Sequence, residues 1–97
     1  MESNPSKPLT VRLVIKGRVQ GVGYRAWCMH TARNLGLSGW VRNLENGDVE
    51  ALAYGSSTTV EAFITACRTG PSYARVTAVD VEKQDTPEKI PEGFQVC

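Results

Sequence analysis

A chain of 97 residues holds one compact domain and not two. With 41% apolar and 22% charged residues it has the make-up of a soluble globular protein with a modest core. A net charge of +1 supplies no field able to gather nucleic acid non-specifically, and no apolar run approaches the ~20 residues that span a bilayer. The polar stretch Met1 to Pro8 has no apolar core of a signal peptide, so a cytoplasmic location is expected. It reads as a loose tail, with the folded domain running from residue 9 to residue 97. Cys28, Cys67 and Cys97 are widely spaced, with no Cys-x-x-Cys pair and only His30 to join them. No metal site is expected from that set, and reduced thiols suit it, although one disulfide among the three stays open.

Leu9 to Lys16 alternates, with Leu9, Val11, Leu13 and Ile15 on one face, which predicts a strand with one buried side. A glycine-rich loop follows, Gly17-Arg18-Val19-Gln20-Gly21-Val22-Gly23-Tyr24-Arg25. From about Tyr24 to Leu35 the spacing turns helical, with Tyr24, Cys28, Thr31, Ala32 and Leu35 on one stripe. Gly36 is placed to close that helix in a left-handed cap. Trp40, Val41 and Leu44 suggest a second strand, and Asn46-Gly47 predicts a type I′ hairpin turn. Val49 to Tyr54 is the returning strand, stopped at Gly55. Thr58 and Glu61 have capping-box spacing, and Val60, Phe63, Ile64 and Cys67 give the apolar face of a second helix ended by Gly70-Pro71. Arg75 to Glu82 carries a fourth strand, Gln84 to Gly93 reads as a loop, and Phe94 and Val96 alternate as a short fifth edge strand at the C-terminal end.

The order β-α-β-β-α-β is the ferredoxin-like split βαβ sandwich, an α+β fold with two helices on one face of an antiparallel sheet. The chemistry sits where the first strand meets the first helix. Glycines let a backbone turn tightly and aim several N–H groups inward, and a helix N-terminus adds its dipole. Arg25 in the first turn opposes that dipole, and an anion between the loop and Arg25 resolves the conflict. The plainer alternative is a tight turn that needs glycine for backbone reasons alone. Asn43, before the hairpin, is equally a turn-flanking asparagine that bonds its own backbone. Split βαβ order brings the end of its strand toward the glycine loop, within plausible reach of Arg25.

Gly17 to Arg25 resembles the signature of the acylphosphatase family, and Gly39-Trp40-Val41-Arg42-Asn43 with Gly47, Val49 and Gly55 is similar to its second signature. Gly70-Pro71 and Ala74-Arg75-Val76 resemble the family's approach to its fourth strand. The resemblance implies hydrolysis of the carboxyl–phosphate bond of a small acyl phosphate, without metal or other cofactor and without a phosphoenzyme. By position it makes Arg25 the phosphate-binding arginine and Asn43 the residue that orients the attacking water. The backbone around Gln20, Gly21, Val22, Gly23 and Tyr24 matches the phosphate cradle. A carboxylate leaves readily, its conjugate acid having a pKa near ~4, so little general-acid help is needed. Phosphoryl transfer then rests on positioning and charge.

An RNA-binding module on the same fold needs exposed aromatics on the third strand, and Asp48 to Tyr54 offers acids and one aromatic ring instead. A regulatory anion sensor keeps Arg25 and the cradle but has no use for Asn43. A monomer is expected, with no nucleic-acid or membrane partner.

Overall fold

The alternating run that opens the domain forms β1 (Pro8–Arg18), and the computed structural model describes residues 7–97. Residues 1–6, most of the expected tail, lie outside the described residues. The chain continues through α1 (Tyr24–Asn34), β2 (Ser38–Asn43), β3 (Val49–Ser56), α2 (Ser57–Thr69), β4 (Arg75–Gln84) and β5 (Phe94–Val96). The five strands make one open sheet in the order β4-β1-β3-β2-β5. Four of them pair antiparallel, while β5 runs parallel to β2, so the sheet is mixed rather than purely antiparallel.

The period-2 pattern of β1 puts Val11, Leu13 and Ile15 into the core beside Ala51 and Ala53 of β3 and Val41 of β2. Helix α1 lies on β2 and β5 and helix α2 on β1, β3 and β4, closing the core with Cys28, Ala32, Val60, Phe63 and Cys67. The short β5 is firmly held. Phe94 is fully buried and meets Phe63 edge-on at 5.7 Å, and its carbonyl oxygen accepts from Arg33. Both buried thiols are free, and Cys97 is free and exposed. A hydrogen bond to Cys67, together with burial, pushes the Cys28 thiol far above its ordinary pKa.

Four local expectations change. The hairpin is closed by Gly47 N–H donating to the Leu44 carbonyl at 3.2 Å, and no described residue other than glycine has positive φ. Asn46 therefore does not take the type I′ conformation. Glu45 joins the loop, only Gly47 turns left-handed (φ 99°), and Asn46 Oδ1 accepts from Asp48 N–H at 3.0 Å. The α2 cap is Ser56, whose hydroxyl accepts from Thr59 N–H at 3.3 Å, rather than the Thr58/Glu61 pair. β3 does not stop at Gly55 but runs straight into the helix, which moves the first turn forward. Glu50, read above among strand acids that argue against RNA, is buried at 4% exposure. It accepts from Arg42 Nε at 2.6 Å and from Arg12 Nε. Burial opposes its ionisation, but the bonds from Arg42 and Arg12 overcome this and hold the carboxyl below its ordinary value.

Candidate active site

Helix α1 starts without a side-chain cap. Its N-cap is Gly23, and no acidic residue occupies the first turn. The leading N–H groups of a helix have no intrahelical acceptor, so the amino end of α1 carries uncompensated partial positive charge. The residues before it add to that field. Along Gly21-Val22-Gly23 φ alternates in sign: 76° at Gly21, negative at Val22 and 80° at Gly23. Alternation of this kind turns successive N–H groups to one side and forms an anion-binding nest. A Cβ at Gly21 or Gly23 would touch nothing within 4 Å, so glycine stands there for its backbone conformation and not for lack of room.

Gly21, Gly23, Tyr24, Arg25 and Asn43 line one cavity of about 230 Å³, together with Val19, Ala26 and Val96. Arg25 is half-buried and Asn43 exposed at its mouth. The side chains of three cradle residues have other places, which leaves the expectation about their main-chain amides as it stood. Val22 packs partly against the core and faces a neighbouring cavity. Gln20 reaches away from the cradle. Its Nε2 donates to the carbonyls of Leu44 and Asp48 at 2.7 and 2.8 Å. The side chain of Gln20 thus ties the glycine loop to the hairpin that follows Asn43, leaving only its main chain to face a ligand. The ring of Tyr24 is also turned into the core, where its hydroxyl donates to the Cys67 carbonyl at 2.8 Å. That carbonyl needs an outside donor, because the residue four positions on is Pro71, which has no N–H. Burial first, then the neighbouring Cys67 and Cys28, raise the Tyr24 phenol beyond any range in which it could act as a base.

Sequence reasoning missed the part played by the last strand. Arg25 Nη1 donates to the main-chain oxygen of Cys97 at 3.0 Å, and Cys97 N–H donates to Val41 at 2.8 Å. The guanidinium is thereby oriented, with four of its five N–H donors left over for oxygens in the cavity. The only local signal was the alternation of Phe94 and Val96, which speaks of a strand and not of an arginine's acceptor. His30 is exposed on α1 and does not line the cavity. Among the described residues no cluster of three or more His, Cys, Asp or Glu has metal-site geometry.

What assembles is a small concave hollow with backbone N–H groups, one oriented guanidinium and one carboxamide, a set of groups suited to an anion. Comparison with known proteins gives the family of the chain. The Acylphosphatase family model matches residues 11–96. An acylphosphatase of Azorhizobium caulinodans is 51% identical over 88 residues, 91% of this chain and 94% of that protein. One of Rhizorhabdus wittichii is 49% identical over 83 residues, 86% and 82% of the two chains. The crystal structure of acylphosphatase from Bacillus subtilis superposes with a TM-score of 0.87 at 34% identity, covering 92% of this chain and 98% of that one.

Proposed function

This chain belongs to the acylphosphatase family, hydrolases of acyl phosphates, and we propose that Arg25 and the loop amides hold the phosphoryl group while Asn43 orients the water that attacks it. The observation that carries the reading is the single cavity lined by Gly21, Gly23, Tyr24, Arg25 and Asn43. The N–H groups from Gln20 to Tyr24 and the free face of the Arg25 guanidinium bind the non-bridging oxygens. They stabilise the charge that spreads over those oxygens as the bond to the acyl oxygen loosens.

The Asn43 carboxamide accepts one hydrogen bond from the water and holds its oxygen in line with the leaving group. The water oxygen bonds to phosphorus, the phosphorus–acyl oxygen bond breaks, and the carboxylate leaves with that electron pair. The proton of the water passes to a non-bridging phosphate oxygen. Tyr24 is held neutral, and His30 lies off the cavity, so no described side chain lining the cavity competes for that proton. On this reading the protein works as a cytoplasmic monomer, without a metal and without nucleic-acid partners. None of the described helices is long and apolar enough to cross a membrane.

The test is turnover of acetyl or benzoyl phosphate in excess EDTA by the wild type, Arg25→Ala and Asn43→Ala. Removing one stabiliser of transition-state charge costs on the order of 100-fold or more in kcat, and this is expected for both variants. Arg25→Ala should also weaken inhibition by inorganic phosphate, whereas Asn43→Ala should leave it nearly unchanged. Full activity in Asn43→Ala sinks its assigned role, and turnover that vanishes with EDTA sinks the metal-free chemistry. A pure anion sensor would bind phosphate and turn over nothing.

A further inference from the structure

Arg18 of β1 and Arg75 of β4 stand directly opposite one another at the end of the ladder that leads into the glycine loop. They do so because of a bulge. Lys16 pairs with Ala78, but Gly17 pairs with Val76, so Thr77 is an extra residue on β4. Without it Arg18 would face Val76. With it Val76 turns toward the core and Arg75 comes to the side of Arg18. Gly17 makes the close approach possible: its φ is 121°, and a Cβ there would stand 2.0 Å from the Arg75 carbonyl oxygen.

Like charges opposite each other on neighbouring strands destabilise a sheet. Here nothing among the described residues offsets them. Lys16 has Asp80, and Arg12 has Glu50 and Glu82, but neither Arg18 nor Arg75 has an ion pair among the described residues. Both are exposed and line an open cavity of about 550 Å³ with Gly21, Val22, Ser72 and Tyr73. Gly21 also lines the cavity of Arg25 and Asn43, so the two hollows meet at the glycine loop. Tyr73, 80% exposed, presents an aromatic ring on the far side.

We propose that this second hollow is an anion subsite for the acyl half of the substrate, selecting acyl phosphates whose acyl group carries a further carboxylate or phosphate. Two guanidinium groups line one hollow beside the glycine loop, and such groups suit the planar or tetrahedral oxygens of a carboxylate or phosphate. The apolar body of the acyl group lies between Val22 and Tyr73. The inference rests on the reading of Arg25 and Asn43 as the phosphoryl site and adds to it a choice of substrate.

Rigid aryl acyl phosphates, which cannot cyclise onto themselves, test it. Benzoyl phosphate and its para-carboxy, para-phosphono and para-carbamoyl derivatives are compared at low salt in the wild type, Arg18→Gln, Arg75→Gln and the double variant. The uncharged carbamoyl derivative matches the carboxy derivative in size. The wild type is expected to prefer the anionic derivatives on the order of tenfold in kcat/KM, mostly through KM, the scale of a charge-assisted hydrogen bond in an open site. The preference should fall in each single variant, vanish in the double variant and shrink with salt. Turnover of the carbamoyl derivative should stay within about twofold throughout, since neither arginine touches the phosphoryl group. A preference for only one of the two anions supports the subsite and names its group. Equal turnover of all derivatives by the wild type overturns the subsite while leaving the phosphoryl reading intact, as does a preference that survives in the double variant. Loss of carbamoyl-derivative turnover in the variants also overturns it, by making the arginines part of the common machinery. No turnover of benzoyl phosphate by the wild type overturns both readings.

Discussion

Replacing Gln20 by glutamate keeps the shape of the side chain and removes both of its donors. In the native protein Nε2 bridges the Leu44 and Asp48 carbonyls at 2.7 and 2.8 Å. Each neutral hydrogen bond is worth about 1 kcal/mol net, so their loss amounts to about 2 kcal/mol. The two carbonyls keep other partners, since Asp48 accepts from Leu44 N–H and Leu44 from Gly47 N–H, which limits the penalty for leaving them. A carboxylate oxygen cannot remain between two carbonyl oxygens, so the side chain swings out and the glycine loop loses its tie to the hairpin. For a domain of this size about 2 kcal/mol lowers the melting temperature by about 8–16 °C. Leu44 directly follows Asn43, so the carbonyl that loses its clamp lies one residue beyond the carboxamide and its loosening can shift Asn43. A displacement of about 1 Å there costs on the order of 100-fold in rate. Continuous assay of benzoyl phosphate hydrolysis, with inorganic phosphate as competitive inhibitor, separates the effects. Gln20→Glu should lower kcat at least about tenfold while the inhibition constant for phosphate stays within about threefold, because the cradle amides and Arg25 remain. Gln20→Ala should behave alike with a milder stability loss. A kcat equal to that of the wild type would refute the positioning argument, and a phosphate affinity that falls in step with kcat would show that Gln20 acts on the cradle itself.

Gly21→Ala and Gly23→Ala force a side chain into φ near 76° and 80° at a cost of about 1–2 kcal/mol each, and weaker inhibition by phosphate should accompany the stability loss seen in urea titration. Tyr24→Phe strands the Cys67 carbonyl that Pro71 cannot serve, and should cost about 1–2 kcal/mol with kcat nearly unchanged. Thr10→Val should stabilise by about 1 kcal/mol, because the buried Thr10 hydroxyl has no hydrogen-bond partner among the described residues. Glu50 has its folded pKa below the unfolded value, so its contribution is complete above an ordinary carboxylate pKa of about 4.3 and is lost as pH falls through the lowered folded value. Denaturation followed from pH 6 to about pH 2 should therefore show a smaller acid loss in Glu50→Gln, which starts about 1–3 kcal/mol less stable because Arg12 and Arg42 are only half-exposed.

Periodicity and turn chemistry were enough to read the element order, because Leu9 to Ile15 and Val60 to Cys67 bury one side each and say so in their spacing. The two signatures likewise singled out Gly21, Gly23, Arg25 and Asn43, which the fold gathers around one hollow. Features that depend on register between distant segments were not legible. Gln20 is a clamp only because the hairpin carbonyls lie beside it, 24 and 28 residues away. Arg18 and Arg75 meet only through the Thr77 bulge, which no local pattern announces. Glu50 looks like a surface acid until the register places it between Arg12 and Arg42. Asn46-Gly47 named a turn correctly and its type wrongly, since the number of loop residues, and not the dipeptide, decides how many must turn left-handed.

The bond from Arg25 to Cys97 joins residues 72 positions apart. It waits on the parallel pairing of β5 with β2, and contacts of such separation carry the largest loop-closure cost and form late in folding. The glycine loop and α1, by contrast, are contiguous in sequence. A refolding chain should thus acquire its loop amides before its arginine is aimed, and weak phosphate binding should return ahead of the full affinity and the turnover that need Arg25.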